Sequence, residues 1–152
     1  MNKLFEFKLK VLKEFQDKHP TSHVGGSIGL MLRGIDLQRD LMDSDLDITV
    51  DEYVFTEDNV DGLEQRSDGN DFDYCVKRID NDLYTKIDIR VNPEPSFETV
   101  SYDGVSYNVS KVRDILFWKK KYAKKGVLKH VNDLITIETG VRPKEVEDEW
   151  FF

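Results

Sequence analysis

Cysteine is nearly absent: Cys75 is the one cysteine in 152 residues. That excludes an internal disulfide and a cysteine-built zinc site, and it fits a reducing, cytoplasmic setting. The three histidines, His19, His23 and His130, are scattered and show no zinc-site spacing. No apolar run approaches the roughly 18 residues of a membrane span, so no membrane partner is expected. The N-terminal stretch carries a lysine every few positions and lacks the apolar core of a secretory signal. Alanine occurs once, at Ala123, and lysine outnumbers arginine 15 to 7, a bias that bounds no function. Basic charge is also short, with 22 bases against 30 acids and a net charge of -8. A non-specific DNA binder is disfavoured, because it needs basic surface to displace counterions.

Apolar residues, in contrast, are plentiful. Leu, Ile, Val and Phe make up 46 of the 152 residues, well above the roughly 20 % below which chains stay disordered. A chain of this length buries a sizeable core and has the size of one domain, 1–152. Its charge is unevenly spread. Between Asp40 and Asp73 there are 13 acids and one base, Arg66. Between Lys111 and Lys129 there are eight bases and one acid, Asp114. Two solvated faces of opposite sign would account for this. A site that holds metal and phosphate together would account for it as well.

Periodicity divides the chain into elements. Leu4, Leu9, Val11, Leu12 and Phe15 form a helical stripe over 2–18, which Pro20 ends. Residues 22–24 suit a short strand, Gly25-Gly26-Ser27 a turn, and 28–34 a short buried helix stopped by Gly34. DLDITV, residues 45–50, alternates as a strand. Residues 56–70 carry the Asn, Asp and Gly of a loop. Residues 71–79 and 84–91 alternate on either side of an Asp80-Asn81-Asp82 turn and make a hairpin, closed by Pro93 and Pro95. A turn at 102–105 joins two short strands, the second ending at Val109. Ser110 then caps a helix over 111–125, stopped by Gly126, and a second helix spans 129–139. Trp150 and Phe151 of the tail are expected to pack on the body or on a partner. The expected fold class is α+β: a mixed β-sheet core over about 22–109, flanked by helices, with a C-terminal helical pair.

The chemistry-bearing residues lie in these strands and turns. Asp45 and Asp47 stand at i and i+2 of a strand and so share a face. Paired carboxylates repel unless a cation lies between them, and hard oxygen donors suit Mg2+ held together with substrate phosphates. A solvated strand face explains a bare D-x-D equally well. Asp88, in KIDIRV on another strand, becomes a third carboxylate if it points the same way, serving as ligand or general base. Otherwise it is an exposed residue or an ion-pair partner of Lys86 or Arg90. Gly25-Gly26-Ser27, at a strand-to-helix turn, exposes backbone N–H groups to an anion, although flexible turns also use such residues. Phe5, Phe7, Phe15 and Cys75 suit a core.

GGSIGLMLRG and SDLDITV, with 17 residues between the GGS and the DLD, then KIDIRV, together resemble the nucleotidyltransferase superfamily that includes DNA polymerase beta, in its small single-domain branch. The resemblance implies that Asp45, Asp47 and Asp88 hold Mg2+ and carry catalysis. It places Gly25, Gly26, Ser27, Ser44 and Lys119 or Lys120 around the phosphates of a nucleoside triphosphate, with Asp133 framing the site and Arg33 or Arg39 adding a phosphate contact. It implies transfer of a nucleoside monophosphate to a hydroxyl of a small molecule, a protein or an RNA end, with pyrophosphate released. A homodimer could supply acceptor surface. Two other readings remain open at this stage. One is a catalytically inactive nucleotide-binding or interaction module of the same fold. The other is an unrelated α+β protein, which would put Asp88 and the Asp45–Asp47 pair on opposite faces of the sheet.

Overall fold

The computed structural model describes residues 3–41, 44–51, 63–65, 74–92 and 96–144, with backbone alone for 63–65 and 74–76. The chain is a mixed α+β protein. Helix α1 (Lys3–Lys18) leads to strand β1 (His23–Val24), helix α2 (Gly26–Leu32) and strand β2 (Leu46–Val50). Strands β3 (Leu63–Gln65), β4 (Tyr74–Asp80), β5 (Leu83–Val91), β6 (Phe97–Tyr102) and β7 (Val105–Ser110) follow. Helices α3 (Val112–Lys124) and α4 (Leu128–Thr139) close the fold. The strands form one sheet in the order β3-β4-β5-β2-β1-β7-β6. Pairing is parallel for β1/β7 and β2/β5 and antiparallel elsewhere. Among the described residues no helix is long and apolar enough to cross a membrane.

Alternation in β2 and β5 divides the sheet into two faces. Leu46, Ile48 and Val50 pair in register with Ile87, Ile89 and Val91, and all but the half-buried Val91 are buried. With Val24 and Val109 they meet Leu9, Leu12 and Phe15 of α1 in one core cluster, and Phe5 and Phe7 pack at its edge. Burial of each large aliphatic side chain here contributes about 1.5–3 kcal/mol. The buried Lys8 of α1 reaches the same layer and donates to Thr85 Oγ1 at 2.9 Å. The intervening positions, Asp47, Thr49, Asp88 and Arg90, are turned to the opposite face.

Several boundaries differ from the sequence expectation. Helix α2 begins at Gly26, inside the GGS turn. Strand β3 falls inside the expected loop at 56–70 and pairs with β4, as a short edge strand can even where its neighbours are polar. The expected start of the first hairpin strand, 71–73, lies outside the described residues. Ser110 is not the cap of α3: it belongs to β7, and its Oγ lies 2.7 Å from His23 Nδ1. The cap position falls to Lys111, without a side-chain bond. Pro93, Pro95, Trp150 and Phe151 lie outside the described residues.

Candidate active site

The carboxylates come first. Asp47 and Asp88 are direct partners in the parallel β2/β5 pair, so their side chains lie side by side on one face. Asp45 stands one residue before β2, and its carboxylate lies 3.6 Å from the Lys86 ammonium. That ammonium also lies 3.3 Å from Asp88. Asp45, Asp47 and Asp88 therefore share a face, contrary to what the unrelated-fold reading requires. They are not drawn into a ready-made chelate: among the described residues no group of three or more His, Cys, Asp or Glu is placed to hold a metal ion. The donor set still fits a hard cation in chemistry, since it offers carboxylate oxygens only. The Lys86 ammonium stands as a cation between two of them.

The crowding is visible in the acidities. Burial, with the charges of Asp88 and Asp45, pushes the Asp47 carboxyl up to about 7, against the pull of Arg90 and Lys119. Burial and the charge of Asp88 push Asp45 up as well, with Lys86, Lys8 and Lys129 opposing.

The glycine turn lies against this pair. Gly25 N–H donates to the Asp47 carbonyl at 2.8 Å, which spends one of the N–H groups expected to face an anion. Gly26 adopts φ +60, and a Cβ there would run into Asp47 Oδ2. Only glycine allows both that conformation and that approach. Gly29 N–H donates to Gly25 O at 2.9 Å, and helix geometry leaves the N–H groups of Gly26, Ser27 and Ile28 without partners inside α2.

Behind the turn stands a buried charge cluster. Lys119, 2 % exposed, donates from Nζ to Ser27 Oγ at 3.0 Å and to Asp133 Oδ2 at 2.7 Å. Arg39 donates to Ser27 Oγ at 2.7 Å and clamps Asp133 through Nε and Nη2 at 2.8 and 2.9 Å. Arg142 adds a bond to Asp133 Oδ1 at 2.7 Å. Asp133 is wholly buried. Burial pushes its carboxyl up, but the Arg39 hydrogen bonds and the Lys119 charge outweigh this and hold it well below the usual carboxylate range. Burial weakens the hold of Lys119 on its proton, and Asp133 opposes that. Ser27 thus accepts from two cations, which leaves its O–H to donate outward.

Gly25, Gly26, Asp47 and Lys119 border a cleft of about 630 Å3 between the sheet and α3, whose lining does not include Ser27, Asp45 or Asp88. Its far wall is aromatic and basic. Arg90 lies over the Trp118 ring at 3.6 Å, and Tyr122 stacks on His130 with centroids 5.3 Å apart. Burial and the charges of Lys119 and Lys129 bring His130 down to about 4, so it is neutral near pH 7. His23 is brought down to about 4, by burial. Arg90, His23 and the aromatic wall were not anticipated from the sequence as site residues; the run FWKKKY at 117–122, three lysines flanked by aromatics, was the available signal.

The remaining candidates separate cleanly. Lys119 faces the cleft, whereas Lys120 is exposed on the other side of α3 and is not part of it. Arg39 meets the cluster at Ser27. Arg33 does not: it donates to Ser110 O, Val109 O and Glu98, tying the end of α2 to β6 and β7. Ser44 is half-buried and donates its N–H to Leu41 O at 3.0 Å. The side chain of Cys75 lies outside the described residues. Neither a family model, nor a curated protein, nor a solved structure matches the chain.

Proposed function

We propose that the chain is a Mg2+-dependent nucleotidyltransferase of the small polymerase-beta-like kind, acting in the cytoplasm. The observation that carries this reading is the approach of Gly26 to Asp47, beside Asp88. It sets the glycine turn, one carboxylate of the face, Asp47, and the buried Lys119 at one cleft. In this reading Asp45, Asp47 and Asp88 hold the cation, which would neutralise phosphate charge and polarise the α-phosphorus when bound. Gly26 and Ser27 offer N–H groups, and Ser27 its hydroxyl, to the outer phosphates. Lys119, locked by Asp133, adds fixed positive charge that needs no reorganisation during reaction. Trp118 and Tyr122 give the cleft an aromatic wall toward a base, with Arg90 over the Trp118 ring and His130 stacked on Tyr122.

The acceptor hydroxyl forms a bond to the α-phosphorus in line with the leaving group. The bond from that phosphorus to the bridging oxygen breaks, and pyrophosphate leaves with the electron pair. Asp88, buried beside Asp47, takes the hydroxyl proton. The acceptor is a small molecule, a protein or an RNA end. The exposed Lys120, Lys124, Lys125 and Lys129 give the α3–α4 pair a basic surface for a polyanion. The lodged Lys86 favours the second reading, a nucleotide-binding module without catalysis.

Calorimetry with the four ribonucleoside triphosphates, with and without Mg2+, tests this. Metal-dependent binding that Asp45→Ala/Asp47→Ala abolishes is expected. A folded protein that binds no triphosphate overturns the reading. Metal-dependent binding without pyrophosphate release for any acceptor class selects the inactive module.

A further inference from the structure

Lys86 occupies an unusual place. It lies on β5 two residues before Asp88, and so on the same face. Leu46 pairs with Ile87, which sets Lys86 opposite Asp45 across the two strands. Its Nζ stands 3.6 Å from Asp45 Oδ2 and 3.3 Å from Asp88 Oδ1, and its side chain keeps 26 % exposure. One ammonium thus spans two of the three carboxylates on that face.

We infer that Lys86 is a tethered counter-cation that competes with the divalent ion for Asp45 and Asp88 and so sets the ion affinity of the site. The inference rests on the transferase reading of the same carboxylates. Three acidic groups on one strand face repel, and an ion-free protein needs some charge among them to keep β2 and β5 in register there. Lys86 supplies one positive charge on a flexible stem. It is also weak enough to leave, because ion pairs with partly exposed members contribute little each. A divalent ion brings twice the charge and direct oxygen coordination. Displacement of Lys86 frees both carboxylate oxygens, and the stem's exposed path lets the ammonium swing outward without unfolding the strand. The cross-strand partner of Lys86 on β4 is the exposed Lys77, and this like-charged neighbour favours that release.

The test uses Mn2+, an oxygen-seeking ion whose free fraction is counted by electron paramagnetic resonance. The full chain is titrated as wild type, Lys86→Met, Lys86→Arg and Asp45→Ala/Asp47→Ala, each with and without ATP. Lys86→Met is expected to bind Mn2+ roughly tenfold more tightly than wild type, equivalent to about 1.4 kcal/mol. Lys86→Arg should stay near wild type. Ion-free Lys86→Met should also melt below wild type and recover more of its melting temperature on adding Mn2+. Should Lys86→Met fail to fold, Lys86→Gln takes its place, keeping a polar end without the charge. Equal or weaker Mn2+ binding by these variants, with wild type binding normally, overturns the inference and leaves the transferase reading standing. Absence of Mn2+ binding in every protein, with or without ATP, overturns both. So does unchanged binding in Asp45→Ala/Asp47→Ala, which would put the ion elsewhere.

Discussion

Asp133→Asn is the substitution on which the architecture of the site turns. The carboxylate is wholly buried and receives four hydrogen bonds from three cations: two from Arg39, one from Lys119 and one from Arg142, all between 2.7 and 2.9 Å. The cluster joins the segment after α2, helix α3, helix α4 and the chain beyond it. Asparagine has nearly the same shape, so no cavity forms. It removes the one negative charge and presents an amide donor to groups that can only donate. Breaking a buried ion pair by removing one partner costs about 3–5 kcal/mol. At about 2–4 °C per kcal/mol for a chain of this size, the melting temperature should fall by about 6–20 °C. The effect also carries a pH signature. The Asp133 carboxyl titrates below its ordinary value of 3.8, so its stabilisation is complete above that value and is lost as the pH falls through the folded-state value. Urea unfolding followed by circular dichroism at pH 7 and pH 3 should therefore show a wide gap between wild type and variant at the higher pH and a narrower one at the lower. A loss under about 1 kcal/mol at pH 7 would refute the argument that the three cations depend on this carboxylate.

Two further substitutions probe the opposite wall. Gly26→Ala forces a side chain into positive φ and into the Asp47 carboxylate, whereas Gly34→Ala meets positive φ with open space around it. Left-handed strain alone costs about 1–2 kcal/mol, so Gly26→Ala should lose more stability in urea than Gly34→Ala, and also lose triphosphate binding in calorimetry; equal losses would show that the Asp47 contact is immaterial. Asp47→Asn tests the strain of the carboxylate face itself. The folded-state value near 7 lies above the ordinary 3.8, so the wild-type carboxyl gives up stability as pH rises between those values. Asp47→Asn should melt higher than wild type at pH 8, match it near pH 4, and bind no metal-dependent triphosphate. His23 and His130, with values lowered to about 4, act in the opposite sense, losing stability as pH falls from about 6.5. Both proteins carry them, so the comparison at each pH cancels their effect. A lower melting temperature for Asp47→Asn at pH 8 would mean that the charge is stabilised where it stands.

How far the sequence announced this arrangement depended on the range of the interaction. Strands β2 and β5 were legible because Leu46, Ile48, Ile87 and Ile89 alternate with acids and bases, and that period admits one burial solution. Helix α1 was legible from its stripe for the same reason. Strand β3 was not, because three residues at a sheet edge carry too short a pattern and draw their order from pairing with β4. Ser110 read as a helix cap, since serine before a helical stripe ordinarily is one. It failed because β1 brings His23 alongside, a contact between residues 87 apart in the chain. Asp133, Arg39 and Lys119 were each singled out through the family resemblance, Arg142 was not, and as four ordinary charges on separate elements they carry no local mark of their meeting. Nothing in the surplus of bases over 111–129 signalled that one of them, Lys119, would be almost wholly buried.

Asp88 shows where the two levels of reasoning meet. From sequence, a carboxylate beside the Asp45–Asp47 face and an ion pair with Lys86 stood as rival accounts of it. In the fold both hold together, because the strand period that turns Asp88 toward Asp47 turns Lys86 toward Asp45 by the same rule. Charge of both signs is therefore built into one face: Lys86 among the carboxylates, and Asp133 among the cations behind Ser27. The first pair of strands keeps its cation partly exposed, while the second cluster keeps its anion wholly buried. Fixed charge behind the glycine turn and a more accessible charge in front of it are what the proposed transferase reading asks of this face: phosphates held firmly and a metal ion admitted with each of them.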